Sequence, residues 1–155
     1  MQLKYQYHFT KLERFNDVMI ELNENETLYN PDLITIFFSS DIQRAHSSVK
    51  KAIGEFDKVL SGVEEQFQCS YNATDIEMDR YKTVIEELYP DDEDHPLQCE
   101  IETIELRKLL LVWFEELTQY RYTRGKIKKK EKEIILNWIE EQQKIGDKLE
   151  ENLES

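Results

Sequence analysis

The segment LQCEIETIELRKLLLVWFEEL, residues 97–117, indicates both strands and helices, because a strand pattern passes directly into a helix pattern there. Residues 97–102 are typical of a strand that ends at Thr103, and Thr103 can cap the helix that follows. The apolar face of this helix consists of Leu106, Leu109, Leu110, Trp113, Phe114 and Leu117. Its charged residues, which we expect to face solvent, are Glu105, Lys108, Glu115 and Glu116.

Three segments nearer the N-terminus predict further strands. Residues 3–9 alternate aromatic and polar side chains, which is the pattern of a half-buried strand. Residues 15–22 are less regular, but they are apolar and partly β-branched. Residues 32–39, DLITIFFS, form a nearly continuous apolar run after Pro31, which suits a central strand covered on both faces.

A helix is predicted from residue 40 to Gly62, with Ser40 or Asp41 as its cap and Gly62 as its end signal. Its buried stripe consists of Ile42, Ala45, Val49, Ala52, Ile53, Phe56, Val59 and Leu60. Residues 66–71 alternate again as a strand, and residues 81–89 fit either a strand or a short helix.

Strands joined by short turns, with helices between and after them, predict an α+β fold. We expect one antiparallel sheet of five or six strands with helices packed on one face. The 155 residues are enough for a single domain, residues 1–155, and too few for two ordinary ones.

Residues 126–155 predict a long polar C-terminal helix that extends this domain. Its apolar residues have heptad-like spacing: Ile127, Ile134, Trp138, Ile145 and Leu149. Two readings stay open, a coiled-coil dimer and a helix packed on its own domain, and the short repeat favours the second. The lysines of residues 126–132 are interrupted by Glu131, which favours a solvated helix face over an anion-binding run.

The charge is strongly negative and unevenly distributed. The formal net charge is −13, and residues 75–105 alone hold 12 acidic and 2 basic side chains. Such a field repels phosphate backbones, so we expect no nucleic-acid binding. It attracts cationic proteins, so a basic protein is the expected partner. The alternative is that the acidic residues only keep the protein soluble.

The sequence offers no recognisable catalytic constellation. A nucleophile needs an adjacent base, usually histidine, and the chain has three histidines. We expect His8 on the polar side of the first strand, His46 on the exposed part of its helix and His95 in the acidic loop. None lies in a nucleophile motif, so we do not expect an enzyme.

Neither a metal ion nor a cofactor is predicted. The acids of residues 91–94 are consecutive and are followed by Pro96, whereas a calcium-binding loop alternates its ligands around a glycine. No strand is followed by a glycine-rich phosphate loop. Cys69 and Cys99 have no metal-ligand spacing, and we expect both to be buried small hydrophobic residues.

The N-terminal residues MQLKYQYHF do not have the basic and apolar regions of a signal peptide, which predicts a cytoplasmic protein. The longest apolar run has six residues, Leu109 to Phe114, so we expect no membrane span.

The order of elements, the acidic middle and the segment CEIETIELRKLLLVWFEEL at residues 99–117 resemble small immunity proteins of bacterial polymorphic toxin systems, including contact-dependent growth inhibition. The long helix after Lys126 departs from that pattern. The resemblance implies neutralisation of a cognate toxin, often a nuclease with a cationic substrate cleft, by an acidic surface that blocks it.

The leading hypothesis is therefore an acidic inhibitor that occludes a basic site on a cognate toxin, as a monomer or a homodimer. The expected contact residues are Asp75, Glu77, Asp79, Tyr81, Glu86, Glu87, Tyr89, Asp91, Asp92, Glu93 and Asp94. The two tyrosines would be anchors, because interface energy concentrates in a few aromatic or Arg residues. The alternative is an assembly protein that self-associates through its C-terminal helix.

Overall fold

Two antiparallel sheets and four α-helices make up the protein in a computed structural model that describes residues 2–154. The strands are β1 (Tyr7–Leu12), β2 (Asp17–Leu22), β3 (Gln66–Ser70), β4 (Thr74–Asp79), β5 (Lys82–Glu87) and β6 (Gln98–Glu102). The helices are α1 (Asp32–Ile36), α2 (His46–Leu60), α3 (Thr103–Thr123) and α4 (Lys129–Glu154). The predicted α+β class is confirmed, but the six strands divide into a hairpin, β1–β2, and a separate sheet of order β3-β4-β5-β6.

The β1–β2 hairpin packs against α3 through alternate side chains of β2. Val18, Ile20 and Leu22 are buried, and the indole Nε1 of Trp113 donates a hydrogen bond to the Val18 carbonyl at 2.8 Å. The first strand begins at Tyr7 rather than at residue 3. The residues before it turn toward α3 instead, where the Lys4 backbone N–H donates to the Glu105 carboxylate.

The strand predicted at residues 32–39 is wrong, because this run is helical. Helix α1 covers Asp32–Ile36, and the chain continues without a break into a π-helical turn, Phe37–Ile42. A short apolar run has the same composition in a buried helix as in a central strand. Pro31, taken as the boundary of a strand, instead lies immediately before the first helical residue, where its fixed φ suits a helix start.

Helix α2 begins at His46, so the predicted caps Ser40 and Asp41 are wrong. Both residues belong to the π-helical turn, and the Asp41 carboxylate accepts hydrogen bonds from the backbone N–H groups of Ala73 and Thr74 at the start of β4. Asp41 therefore ties the helical layer to the sheet. The buried stripe of α2 matches the prediction from Val49 to Leu60.

The sheet contains one strand that the sequence pattern did not suggest. Strand β4 reads TDIEMD, and its buried residues Thr74, Ile76 and Met78 alternate with acids. With few apolar residues it was not recognised as a strand. The ambiguous residues 81–89 form a strand at Lys82–Glu87, and the predicted segments at residues 66–71 and 97–102 form β3 and β6.

Helix α3 is enclosed by the hairpin, α2, α4 and one end of the sheet, so it lacks a solvated face over its first three turns. The prediction that Glu105 and Lys108 face solvent is therefore wrong, since both are buried. They form an ion pair with each other at 2.8 Å. Thr103 starts the helix as expected, but its hydroxyl bonds to Thr83 and to the Asp79 carbonyl rather than capping α3.

Helix α4 packs along α3 and α2. Its buried residues are Ile135, Ile139 and Gly146, whereas the heptad positions Ile134 and Ile145 are 54% and 43% exposed. The predicted residues Trp138 and Leu149 are half-buried and pack against the core, so the prediction holds for these two positions and fails for Ile134 and Ile145.

Arg107 of α3, which is 1% exposed, joins this helix to both α2 and α4. Its guanidinium donates to the Asp57 carboxylate of α2 at 2.7 Å and to the Gln142 carbonyl of α4 at 2.9 Å. Any side chain larger than that of glycine at position 146 would meet the same guanidinium. Gly146 therefore permits the close approach of α4 to α3.

The prediction that His46 lies on the exposed part of its helix is wrong. Its ring lies between α3 and α4. Its ring centroid is 4.8 Å from that of Trp138 and 5.7 Å from that of Phe114. Burial, reinforced by Lys50, lowers the pKa of His46 below its ordinary value, although Glu131 acts in the opposite direction. Arg44, Arg121 and Glu131 line the same small cavity.

Acidification is therefore expected to destabilise the protein through His46. Its pKa is lower in the folded than in the unfolded chain, so the unfolded chain binds more protons as the pH falls below about 6.5. The free energy of unfolding from urea titrations should decline between pH 7.5 and 5.5. The decline should shrink in His46→Phe and persist in the His8→Asn control; an unchanged slope in His46→Phe would contradict this prediction.

None of the helices within residues 2–154 combines the length and the apolar character needed to cross a membrane.

Candidate protein-binding face

One face of the β3–β6 sheet is packed on the helices, and the other is open and acidic. Alternation along the strands buries residues such as Ile76, Ile85 and Ile101 against the helical layer. The side chains between them point away from the helices, and none of them is buried. Six of these side chains are carboxylates, and we call them the acidic face: Asp75, Glu77, Asp79, Glu86, Glu100 and Glu102.

Strand register brings these six residues together. Asp75 of β4 lies directly opposite Glu86 of β5, and Glu77 and Glu100 flank Val84 on either side. Two like charges directly opposite each other destabilise a sheet. The Asp75–Glu86 pair thus has an unfavourable interaction that a bound cation would relieve.

Basic side chains of the protein itself neutralise only one end of the acidic face. Among the described residues, Asp75, Glu77 and Glu86 are hydrogen-bonded to neutral side chains, those of Ser70, Gln68 and Gln98. Within residues 2–154, no lysine, arginine or histidine pairs with any of these three carboxylates.

The other end of the face is partly neutralised by two lysines. The Lys82 ammonium lies 3.4 Å from the Glu100 carboxylate, and the Lys4 ammonium bonds to Glu102. Burial opposes ionisation of Glu102, but the hydrogen bonds from Lys4 and Tyr5 outweigh burial and lower its pKa. Glu102 thus mainly anchors the N-terminal segment.

A hollow of about 190 Å³ lies on the acidic face. Glu77 and Asp79 contribute carboxylates to its lining, Val84 contributes an apolar surface, and Lys82, which is paired with Glu100, contributes one ammonium. Lysine and arginine combine an apolar stem with a charged head, so this lining complements them. The carboxylate of Asp79 also accepts two backbone N–H groups of the β4–β5 turn, from Tyr81 and Lys82, and so shapes one rim.

Of the predicted contact residues, Asp75, Glu77, Asp79 and Glu86 lie together on the acidic face, whereas Glu87 does not. Alternation turns Glu87 to the opposite side of β5, where its carboxylate accepts the N–H of Leu97.

The two predicted aromatic anchors lie at opposite ends of β5. Tyr81 is 62% exposed in the β4–β5 turn, and Tyr89 is 80% exposed in the β5–β6 loop. The six residues of β5 separate them by about 20 Å. One small contact cannot bury both, so Tyr81, which adjoins the hollow, is the better placed of the two.

The acids Asp91, Asp92, Glu93 and Asp94 lie in the same β5–β6 loop, beyond the end of the sheet. All four are exposed, and Asp92 bonds to the His95 ring and to the Asp94 N–H. The loop connects β5 and β6 at the end of the sheet where Glu86 and Gln98 lie. Its charge therefore extends the end of the acidic face that no lysine within residues 2–154 neutralises.

Sequence reasoning missed Glu100 and Glu102 as members of the site. Both lie in the acidic segment at residues 75–105, and they alternate with Cys99 and Ile101 in the QCEIE of β6. That alternation was a usable signal for side chains on the open face.

The three histidines have no nucleophile beside them in the part of the chain that is described. His8 pairs with Glu21 and His95 with Asp92, and no serine, threonine or cysteine within residues 2–154 is hydrogen-bonded to a histidine. Cys99 is buried, which raises the pKa of its thiol to about 12, whereas Cys69 is half-buried rather than buried as predicted. Nor do three or more His, Cys, Asp or Glu side chains of residues 2–154 group as a metal site.

Comparisons with known proteins give no relative: no family model, no curated protein and no solved structure matches the chain.

Proposed function

We propose that the protein is an inhibitor that binds a lysine- and arginine-rich site on a partner protein through its acidic face. The observation that supports this most is the set of three carboxylates, Asp75, Glu77 and Glu86, which share one open face and have no basic partner among the described residues. Gathered charge of one sign accelerates capture of an oppositely charged protein and selects against anionic ones.

The Asp75–Glu86 pair supports binding over mere solubility. Charges that only keep a protein soluble work equally well when they are spread apart, whereas two carboxylates placed directly opposite each other weaken the sheet. A cationic group of the partner between these carboxylates would turn that repulsion into attraction. The pair is therefore the expected centre of the contact.

The partner class follows from the resemblance to immunity proteins together with this face. We infer a cognate bacterial toxin that acts in the same cytoplasm, and a nuclease is the kind of toxin whose cationic substrate cleft would fit. In this account the protein blocks the cleft without chemistry of its own and needs no cofactor.

The inhibitory activity is tested by co-expression with the product of the neighbouring gene, which we expect to be the toxin. That product should arrest growth when expressed alone and should not do so together with this protein. Glu77→Lys/Glu86→Lys should fail to protect, and the control Glu133→Lys/Glu140→Lys, with the same change in net charge on exposed residues of α4, should protect. Equal protection by both double variants would contradict the proposed role of the acidic face.

A further inference from the structure

The outer edge of β3 is an unpaired strand edge beside the acidic face. Strand β3 ends the order β3-β4-β5-β6, and the Tyr71 N–H donates to the Thr74 carbonyl at 2.9 Å. In an antiparallel ladder, bonded residues alternate, so Cys69 and Phe67 also bond to β4. The backbone groups of the intervening residues, Gln66, Gln68 and Ser70, point off the edge, and no other backbone group of residues 2–154 bonds to them.

The opposite edge of the sheet, β6, is less available. The Asn30 side chain donates to the Gln98 carbonyl on that edge, and the N-terminal segment bonds to the Glu102 side chain. Unpaired strand edges are templates for addition of another strand, and proteins commonly cover or block them. Strand β3 is therefore the edge of this sheet at which an added strand meets least obstruction.

An open groove runs beneath β3, between that strand and α2. Its volume is about 280 Å³, and its apolar lining comes from Ile42, Ala52, Phe67, Cys69 and Tyr71. The inward side chains of β3, Phe67 and Cys69, are only half-buried, because no strand lies beyond them. Apolar side chains of an added strand would complete this side of the core.

On the other side, an added strand would adjoin the acidic face. Neighbouring strands lie about 4.8 Å apart, so an added strand would lie roughly 10 Å from β4, with the neutral Gln66, Gln68 and Ser70 between them. Long side chains reach diagonal neighbours in a sheet. Lysine or arginine on the outward side of the added strand could therefore approach Asp75 and Glu77.

We propose that β3 takes up an extended segment of the partner as a further strand, whose alternate side chains are basic and apolar. The basic ones would lie on the acidic face and the apolar ones in the groove above α2. This inference rests on the proposed function and specifies how the partner is held.

A second copy of the same chain is the less suitable occupant. Antiparallel pairing of two β3 strands would put both acidic faces on the same side of one continuous sheet. The six carboxylates of each copy would then repel those of the other, whereas a basic segment is attracted.

The test uses two peptides of identical composition, KVKVKVK and KKKKVVV, titrated calorimetrically into the intact protein at low salt. Only the first can place lysine and valine on opposite sides of a strand. We expect it to bind about tenfold more tightly, since only this peptide can form the backbone hydrogen bonds of an added strand with all its lysines on the acidic face and all its valines in the groove. Amide exchange at Gln66, Gln68 and Ser70 should slow when the first peptide binds.

A matched pair of variants isolates the strand edge. Gln68→Pro removes one outward N–H, which proline lacks, while leaving every carboxylate in place. It should abolish the preference between the peptides, and Gln68→Ala should retain it. If proline unfolds the sheet, the same backbone hydrogen bonds can be tested from the peptide side. N-methylation of alternate amides of KVKVKVK removes these bonds without changing the protein. It should also remove the preference for KVKVKVK over KKKKVVV.

The outcomes separate the two proposals. Equal binding of both peptides to the unmodified protein would overturn strand addition and leave charge recognition by the acidic face intact. Failure of both peptides to bind would overturn the proposed function as well.

Discussion

Replacing Lys108 by methionine is expected to lower the free energy of unfolding by about 3–5 kcal/mol, because it leaves a buried carboxylate without its cation. The Lys108 side chain is 5% exposed, and its ammonium donates to Glu105 at 2.8 Å, to Glu150 at 2.7 Å and to the Gln2 carbonyl at 2.8 Å. Glu105 is 7% exposed and, among residues 2–154, would keep only the Lys4 backbone N–H as a donor. Urea unfolding followed by circular dichroism measures the change.

Two further variants show whether the loss of stability comes from the unpaired Glu105 carboxylate. Lys144→Met removes an exposed lysine of α4 that lies 3.7 Å from Glu140, and it should change stability by less than about 0.5 kcal/mol. Adding Glu105→Gln to Lys108→Met should recover part of the loss, since the buried negative charge is removed too. A loss below about 1 kcal/mol in Lys108→Met would mean that this ion pair does not hold the helices together.

Ending the chain after Gly125 is expected to abolish cooperative folding. Helix α4 supplies the buried Ile135 and Ile139, and removal of each such side chain costs about 2–5 kcal/mol. Arg107 and Lys108 would also lose their partners on α4, Gln142 and Glu150. These losses together approach the whole stability of a typical domain, about 5–15 kcal/mol. Thermal unfolding of the truncated chain should therefore show no sharp transition.

The double variant Ile134→Lys/Ile145→Lys is the control for this truncation. It changes the two exposed isoleucines of α4 and leaves its packed side intact, so the protein should stay folded. Sedimentation of this variant also tests the alternative role in assembly, because a concentration-dependent dimer that it abolishes would favour self-association. A cooperative transition in the truncated chain would show that α4 is dispensable for folding.

The α+β class could be predicted because it depends on local patterns. The strand at residues 66–71 and helix α2 are each buried on one side, so the spacing of their apolar residues shows which element they form. Residues 32–39 were assigned to a strand wrongly, since a short apolar run has the same composition in a strand as in a helix. The buried charges of α3 were missed because their partners, Glu150 of α4 and Asp57 of α2, lie far along the chain.

The acidic face could be predicted in part. The acidic segment located Asp75, Glu77, Asp79 and Glu86, but the count of charges says nothing about which side of a strand each occupies. Glu87 was included because it neighbours Glu86, although the period of two places it on the other face. In β6 the same period of two places Glu100 on the open face, so this residue could have been included. Register between strands, which brings Asp75 beside Glu86, is not readable from either segment alone.

Cation binding by the acidic face can be measured as the affinity of the protein for a ten-residue lysine peptide at low salt. The claim is that the acidic face, rather than the net charge of −13, binds cationic proteins. Glu77→Lys/Glu86→Lys should weaken binding at least about tenfold, because it reverses charge where the peptide docks. Glu133→Lys/Glu140→Lys, which changes the net charge equally, should leave binding nearly unchanged. Equal weakening by the two double variants would contradict the claim.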